Sequence, residues 1–291
     1  MRFRAIIAGF VFALIWSSAF TAAKLTIADS APIFILAVRF LIGGLLGVTL
    51  ALVIGQKIDF SYSEWKSIIV FGFFQNTVYL GLNYTAMQWI DASVAAIIAS
   101  LLPIAIAAIY WGYFRQKLNM IGLAGLFLGF CGVLIIMSTR YSGNYNSLGM
   151  LLCILALMAL AAATITVQKH IKKNILMVVG LQMLIGSVTL YPISIIFEDF
   201  YFNFTLPLTL SFIYIVVAPG LVATIIWFWL ISEVGATKAS SFHFLNPFFG
   251  ILFASLILAE NISLFDIIGV LVISTGILCV QASKTSLKNL N

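Results

Sequence analysis

Ten apolar stretches occupy almost the whole chain, and the second five repeat sequence features of the first five. An offset of 144 positions aligns the following pairs: Ala92 with Ala236, Ala95 with Ala239, Pro103 with Pro247, Gln116 with Glu260, Leu118 with Ile262, Gly125 with Gly269 and Gly132 with Gly276. Each half contains an odd number of stretches, so two homologous halves would enter a bilayer in opposite orientations. We therefore predict an all-α integral membrane fold with ten transmembrane helices in two inverted five-helix repeats, residues 1–141 and 142–291.

The composition supports this prediction because it differs from that of soluble domains. Apolar residues make up 63% of the chain and charged residues 8%, against about 45–50% and about 25% in soluble proteins. A helix that crosses the hydrocarbon core of a bilayer needs about 20 apolar residues. On that criterion the predicted spans are residues 5–23, 32–55, 66–88, 92–113, 119–138, 148–168, 175–197, 208–232, 236–259 and 264–282.

The net charge of +6 is distributed in a way that indicates membrane orientation, so no nucleic-acid partner is needed to explain it. When the loops are assigned alternately to two sides, one side carries Arg2, Arg4, Lys57, Lys66, Arg115, Lys117, Lys169, Lys172, Lys173, Lys238, Lys284 and Lys288. The other side carries Lys24 and Arg140. Cationic loops stay in the cytoplasm. We therefore predict a multi-pass protein whose N- and C-termini are both cytoplasmic.

Polar residues form stripes on several spans, and such stripes are informative because unsatisfied polar groups are costly in lipid. The stripes are Ser17, Thr21 and Lys24 beside Trp16 in span 1; Gly72, Asn76, Tyr79 and Asn83 in span 3; Gly220, Thr224 and Trp227 in span 8; and Ser240, His243, Pro247 and Gly250 in span 9. We expect them to converge on one cavity. The alternative is that they hydrogen-bond neighbouring helices to each other.

Prolines near the middle of spans 4, 8 and 9 predict kinks or gating points. Pro103 and Pro247 occupy equivalent positions in the two halves, and Pro219 precedes a glycine in span 8. A proline inside a helix frees the carbonyl four residues earlier, which for Pro247 is that of His243. A kink that only shapes helix packing is the alternative interpretation.

Few ionisable residues are predicted to lie inside the membrane, and Arg39 and Lys24 are the candidate charge sites. Arg39 lies seven residues into span 2, where an unpaired charge is costly. It could bind a solute carboxylate, or it could pair with a carbonyl or with Asp29 or Asp91. His243 could carry a proton or could be a hydrogen-bonded packing residue.

The remaining motifs indicate helix packing and do not indicate catalysis or metal binding. Glycines in spans 5 and 10 allow close helix contact, within the chain or in a homodimer, so both a monomer and a homodimer are compatible with the sequence. No catalytic motif appears, and two histidines with three apolar cysteines argue against a metal centre or other cofactor. The predicted partners are a small-molecule solute and the lipid bilayer.

Several motifs resemble the EamA branch of the drug/metabolite transporter superfamily. They are residues 13–24 with Trp16 and Lys24, Pro32 with Arg39 and Phe40, residues 92–118 with Pro103, and residues 236–262 with Pro247 and Glu260. The resemblance implies ten helices in two inverted repeats, and export of amino acids or other small metabolites across a bacterial inner membrane through a central cavity. The chain departs from the family pattern at Ser17, where glycine is usual, and at Gln116, where an acid is usual.

These observations predict a secondary transporter that works by alternating access, since inverted halves commonly enclose a solute site. Trp16, Tyr79 and Trp227 would form apolar walls, while Ser17, Asn76, His243 and Asn246 would bond polar groups of the solute. The alternatives are a proton-coupled uptake permease, a passive facilitator, a non-transporting receptor or assembly subunit, and an intramembrane enzyme acting on lipid. The sequence leaves the solute, the direction and the coupling ion open.

Overall fold

The structure is a computed structural model that describes residues 3–115, 119–140, 146–167, 173–258 and 263–282. These residues are helical apart from turns and an isolated β-bridge between Ser30 and Phe202. The first half contains α1 (Phe3–Ala28), α2 (Pro32–Val53), α3 (Tyr62–Phe71), a π-helix (Gly72–Leu80), α4 (Gly81–Ala86), α5 (Ala92–Ala99), α6 (Leu102–Gly112) and α7 (Met120–Arg140). The second half contains α8 (Ser147–Val167), α9 (Ile175–Phe197), α10 (Leu206–Ile215), a second π-helix (Val216–Ala223), α11 (Thr224–Val234), α12 (Ala236–Ser240), a 3-10 helix (Ser241–Leu245), α13 (Asn246–Leu258) and α14 (Leu264–Ala282).

Six helical segments in the described chain are long and apolar enough to cross a membrane. They are Phe3–Ala28, Pro32–Val53, Ala92–Gly112, Ser147–Thr166, Ile175–Phe197 and Leu206–Val234. Met120–Ile136 and Ile267–Ala282 form shorter apolar helices. Helices suit the hydrocarbon core because their backbone groups are hydrogen-bonded within the segment. The prediction of an all-helical, multi-pass membrane protein is therefore confirmed.

Interruptions of the regular α-helix occur at corresponding places in the two halves. The offset of 144 positions carries the first π-helix, Gly72–Leu80, onto residues 216–224, where the second π-helix lies. It also carries the break before α6 onto the 3-10 helix that precedes α13. Pro103 and Pro247 are the second residues of α6 and α13, where a missing N–H breaks no intrahelical hydrogen bond. The spans predicted at 92–113 and 236–259 are therefore each assembled from shorter helical pieces.

Helices α7 and α14 pack closely through their glycines. A Cβ atom built on Gly125 would lie 2.7 Å from the carbonyl oxygen of Gly276, and one on Gly132 would lie 2.8 Å from that of Gly269. Residue numbers rise along one helix as they fall along the other, so the two helices are antiparallel. The close contact predicted for these glycines lies within the chain, where small residues let the backbones approach.

The pairing of α2 with α9 follows the same plan, and these helices also correspond under the offset of 144 positions. A Cβ atom on Gly47 would lie 3.1 Å from the Cα atom of Gly180, while one on Gly43 would lie 3.2 Å from the sulfur of Met183. This pair is also antiparallel. The other helix contacts are reciprocal: α1 packs against α10, α11 and α13, and its counterpart α8 packs against α3, α4 and α6.

Residues 198–205 form a loop that covers the turn between α1 and α2. The two carboxylate oxygens of Glu198 accept the backbone N–H groups of Ile33 and Phe34 at 2.7 and 2.9 Å, which caps the start of α2. The Tyr201 hydroxyl donates to a carbonyl in the last turn of α1 at 3.0 Å. Partial burial and the neighbouring carboxylates raise the pKa of Tyr201, so its hydroxyl keeps the proton that it donates.

Candidate functional site

A central cavity is lined by residues of α1, α2, α4, α9, α11 and the two π-helices. Its lining includes the following residues that the sequence singled out: Trp16, Arg39, Asn76, Tyr79, Pro219 and Thr224. The volume open to the centres of water molecules is about 30 Å³. A buried water needs about 10–15 Å³ on the same measure, so the cavity has room for a few waters and must widen to admit an organic solute.

An aromatic cluster adjoins the cavity, and we define it as Phe12, Trp16, Trp227 and His243. Phe12 stacks on Trp227 with ring centroids 4.9 Å apart, and the His243 ring meets Trp227 edge-on at 5.0 Å. Trp16 meets His243 edge-on at 5.7 Å and stacks on Tyr79 at 6.4 Å, which joins the cluster to the cavity wall. The structure thus brings the three predicted apolar-wall residues together, although Trp227 does not line the cavity.

Three of the four residues predicted to bond polar solute groups are instead hydrogen-bonded to each other. The Ser17 hydroxyl donates to the side-chain oxygen of Asn246 at 3.1 Å, and the Asn246 amide donates to Nδ1 of His243 at 3.1 Å. A neutral ring that accepts at Nδ1 carries its proton on Nε2, and Nε2 has no partner among the described residues. None of the three lines the cavity, so their role as solute ligands stays a prediction.

Asn76 reaches the cavity from the first π-helix and is held by α9. Its side-chain amide donates to both the backbone and the side-chain oxygen of Gln182, the former at 2.7 Å. Gly186 faces the Asn76 side chain so closely that a Cβ atom would lie 2.5 Å from its Cβ. Both hydrogen bonds use the side-chain nitrogen of Asn76, and neither involves its side-chain oxygen.

Arg39 projects from α2 into the cavity and is 5% exposed. Its Nη1 atom donates to the Tyr84 hydroxyl at 2.9 Å, and its Cζ atom lies 5.4 Å from the centroid of the Phe40 ring. Its Nε atom has no hydrogen-bond partner in the described chain. The sequence left two roles open for Arg39, namely binding a solute carboxylate and pairing with a group of the protein. The structure does not show a pairing with Asp29 or Asp91.

Lys24 does not line the cavity. Its ammonium group donates to the backbone oxygens of Met87 and Ile90, the latter at 3.0 Å, at the end of the helical segment 62–86. A cation at the C-terminal end of a helix neutralises unpaired carbonyls and the helix dipole. This side chain therefore ties α1 to α4 in the structure, and no contact supports its predicted role as a solute charge site.

Comparison with known proteins identifies the family. The model of the EamA-like transporter family matches residues 3–138 and again residues 147–281. The chain belongs to the EamA-like transporter family. It is 27% identical to the uncharacterized transporter YvbV of Bacillus subtilis over 277 residues, covering 94% of this chain and 90% of that protein. It is 28% identical to a chloroplastic WAT1-related protein of Arabidopsis thaliana, covering 91% of this chain and 66% of that protein.

The helical architecture is shared with a solved structure. A crystal structure matches with a TM-score of 0.76 at 18% identity, covering 96% of this chain and 98% of that chain. At that identity the match shows the fold alone. The family and the relatives named as transporters place the chain in the drug/metabolite transporter superfamily and make it a non-enzyme.

The kink prolines of this EamA-like chain shape its backbone in two ways. Pro219 lies in the second π-helix and lines the cavity, and the Thr224 hydroxyl donates to its carbonyl at 3.2 Å. Pro247 was expected to leave the carbonyl of His243 free, and this was wrong. The backbone N–H of Asn246 reaches that carbonyl because the chain tightens into a 3-10 helix before the proline.

Sequence reasoning missed Tyr84 and Gln182, which hold Arg39 and Asn76 in place. Gln182 carried a signal, because it is an amide within an otherwise apolar stretch of α9. Tyr84 did not, since an aromatic residue in a span is ordinary packing. The predicted residues Gln116 and Glu260, and the boundary between the halves at 141 and 142, lie outside the described residues.

Proposed function

We propose that this protein is a secondary transporter that moves a small organic solute across a membrane by alternating access through the central cavity. The observation that carries the proposal is the double match of one transporter family to residues 3–138 and 147–281. The offset of 144 positions, with helix interruptions at corresponding places, is the internal repeat that such transporters commonly have.

Ten spans in two inverted repeats are part of this proposal. The corresponding helices α2 and α9 pack antiparallel to each other, and so do α7 and α14. Five spans per half reverse the second half relative to the first, and antiparallel packing of counterparts is the arrangement that such a reversal produces. The reciprocal contacts of α1 and α8 support a twofold relation between the halves.

Two sets of contacts, one at each end of the α1 segment that lines the cavity, support alternating access, and we call them the two closures. The lining residues of α1 begin at Trp16 and end at Ala23. One turn before Trp16, Phe12 stacks on Trp227 in the aromatic cluster. After Ala23, the 198–205 loop holds the end of α1 through Tyr201. We propose that these two closures open in turn, each widening the cavity toward one side.

The orientation and direction rest on charge and on family resemblance. Cytoplasmic termini follow from the excess of Lys and Arg on one set of loops. We propose export of amino acids or other small metabolites across a bacterial inner membrane. Maleimide labelling of single cysteines at Lys57 and Tyr201, in a background without native cysteines, tests the orientation. Labelling of the Lys57 site from the periplasmic side would refute it.

Transport itself is tested by reconstituting the purified protein into proteoliposomes, with solutes chosen by an untargeted metabolite screen of cells with and without it. Asn76→Leu and His243→Phe are expected to reduce flux while the protein remains monodisperse. Ser232→Ala is the matched control, because this hydroxyl is exposed and, among the described residues, donates to the Trp229 carbonyl of its own helix. Wild-type flux in both site variants would refute the site, and accumulation by cells would favour uptake over export.

A further inference from the structure

We propose that Arg39 is the binding group for a carboxylate, so that the transported solute is a small organic acid whose apolar part lies against Trp16 and Tyr79. This assignment rests on the proposed transport function and adds the chemical class of the solute. Of the described residues that line the cavity, Arg39 alone carries a charge. The field inside the cavity therefore favours an anion.

The charge of Arg39 is permanent and buried. A guanidinium stays protonated in proteins and presents five N–H donors. Arg39 is 5% exposed and lies in α2, within a segment apolar enough to cross the membrane. Ionisable residues inside membranes are costly, and they are retained where they pair with a partner or mark a solute path.

None of the described residues supplies a permanent anion to pair with this guanidinium. No carboxylate of the described residues forms an ion pair with Arg39, and its hydrogen bond is to the neutral hydroxyl of Tyr84. Asp29 instead accepts a hydrogen bond from Thr205 at 2.6 Å, in the loop that covers the α1–α2 turn. A charge held by one neutral partner, with Nε left unpaired among the described residues, is available to a ligand.

The surroundings of Arg39 fit an acid with a flat apolar body. The Trp16 and Tyr79 rings are inclined at 12° to each other and form one wall of the same cavity. Gln75 also lines the cavity, and its buried side-chain oxygen has no hydrogen-bond partner in the described part of the chain. It can accept one N–H or O–H of the solute. Arg39 would fix the carboxylate, since guanidinium and carboxylate form paired charge-assisted hydrogen bonds.

The test compares metabolites released by cells that express wild-type protein, Arg39→Gln, Arg39→Lys or the control Lys238→Gln. Lys238 is a cation that does not line the cavity and donates to a backbone carbonyl of Gln281 at 2.9 Å. The compounds that wild-type protein exports are expected to be carboxylates. Arg39→Gln is expected to reduce their release at least tenfold, Arg39→Lys to retain part of it, and Lys238→Gln to leave it unchanged.

Proteoliposomes then measure flux of the strongest exported compound and of its primary amide, with thermal stability in detergent measured for every variant. Wild-type protein should transport the acid at least tenfold better than the amide, and Arg39→Lys should raise KM more than it lowers kcat. Exported compounds that lack a carboxylate, or an Arg39→Gln variant with wild-type KM, would overturn the assignment and leave transport intact. No difference between cells with and without wild-type protein would refute the proposed function instead.

Discussion

The glycine contact between α7 and α14 gives a sharp prediction about what holds the two halves together. In the variant Gly125→Ala, the new methyl group would lie 2.7 Å from the carbonyl oxygen of Gly276 and 2.7 Å from the backbone nitrogen of Val280. Both are backbone atoms of a helix, so neither can turn aside as a side chain would. Ordinary contact begins at 3.4 Å, which requires the helices to separate by about 0.7 Å.

The size of the effect follows from that separation. A gap of about 0.5–1 Å removes a quarter to a half of the dispersion energy of each contact along the seam. Overpacking of this kind typically costs about 1–3 kcal/mol. Alanine also has a higher helix propensity than glycine, by up to about 1 kcal/mol. This gain in stability partly offsets the cost of overpacking. The comparison therefore needs a second glycine where the propensity gain occurs without the clash.

Gly250→Ala supplies that control, because a Cβ atom at this position in α13 would have no described atom within 4 Å. The free energy of unfolding is measured by SDS titration in mixed micelles for both variants. We expect Gly125→Ala to be less stable than Gly250→Ala by about 1–3 kcal/mol. Gly276→Ala should behave like Gly125→Ala, and the double variant should lose less than the sum, because the first separation relieves the second clash. Equal stabilities of Gly125→Ala and Gly250→Ala would refute the packing argument.

Two further predictions concern the ends of α2 and α4. Glu198→Gln removes one of the two acceptors for Ile33 and Phe34 and the charge at the start of α2, so the free energy of unfolding should fall by about 0.5–2 kcal/mol. Unchanged amide exchange at both Ile33 and Phe34 would contradict this. Lys24→Met removes the donor to the Met87 carbonyl, so amide exchange at the end of α4 should accelerate. Lys24→Arg keeps a cationic donor and should retain protection. Equal exchange rates in the two variants would count against a capping role for Lys24.

Much of the fold could be predicted from the sequence, because lipid permits few solutions. Apolar runs of span length must be helical in a bilayer, and the helices begin and end close to the predicted bounds, for example Ile175–Phe197 against 175–197. Pro103 and Pro247 indicated where spans 4 and 9 are broken. The two π-helices were not predicted, because an extra residue in a helical turn leaves no composition signal of its own.

The candidate site was predicted in part. Trp16, Asn76 and Tyr79 do line one cavity, as the stripes on separate spans indicated, and the candidate charge site Arg39 lines the same cavity. Ser17, however, bonds to Asn246, which is 229 positions away. A polar residue on a helix face shows that a partner is needed, and it does not show whether that partner is a solute or another helix.

By itself, the sequence determined that this chain is a helical membrane protein with a duplicated plan, because hydrophobic length and the 144-position offset are properties of the chain alone. The tertiary structure decided which polar groups are already paired. Hydrogen bonds between spans depend on helix rotation and depth, and these are set by the packing of glycines such as Gly125 and Gly180 against distant backbones. For that reason Arg39 lines the cavity with an Nε atom that has no hydrogen-bond partner among the described residues, while the Lys24 ammonium group donates to two backbone carbonyls away from the cavity.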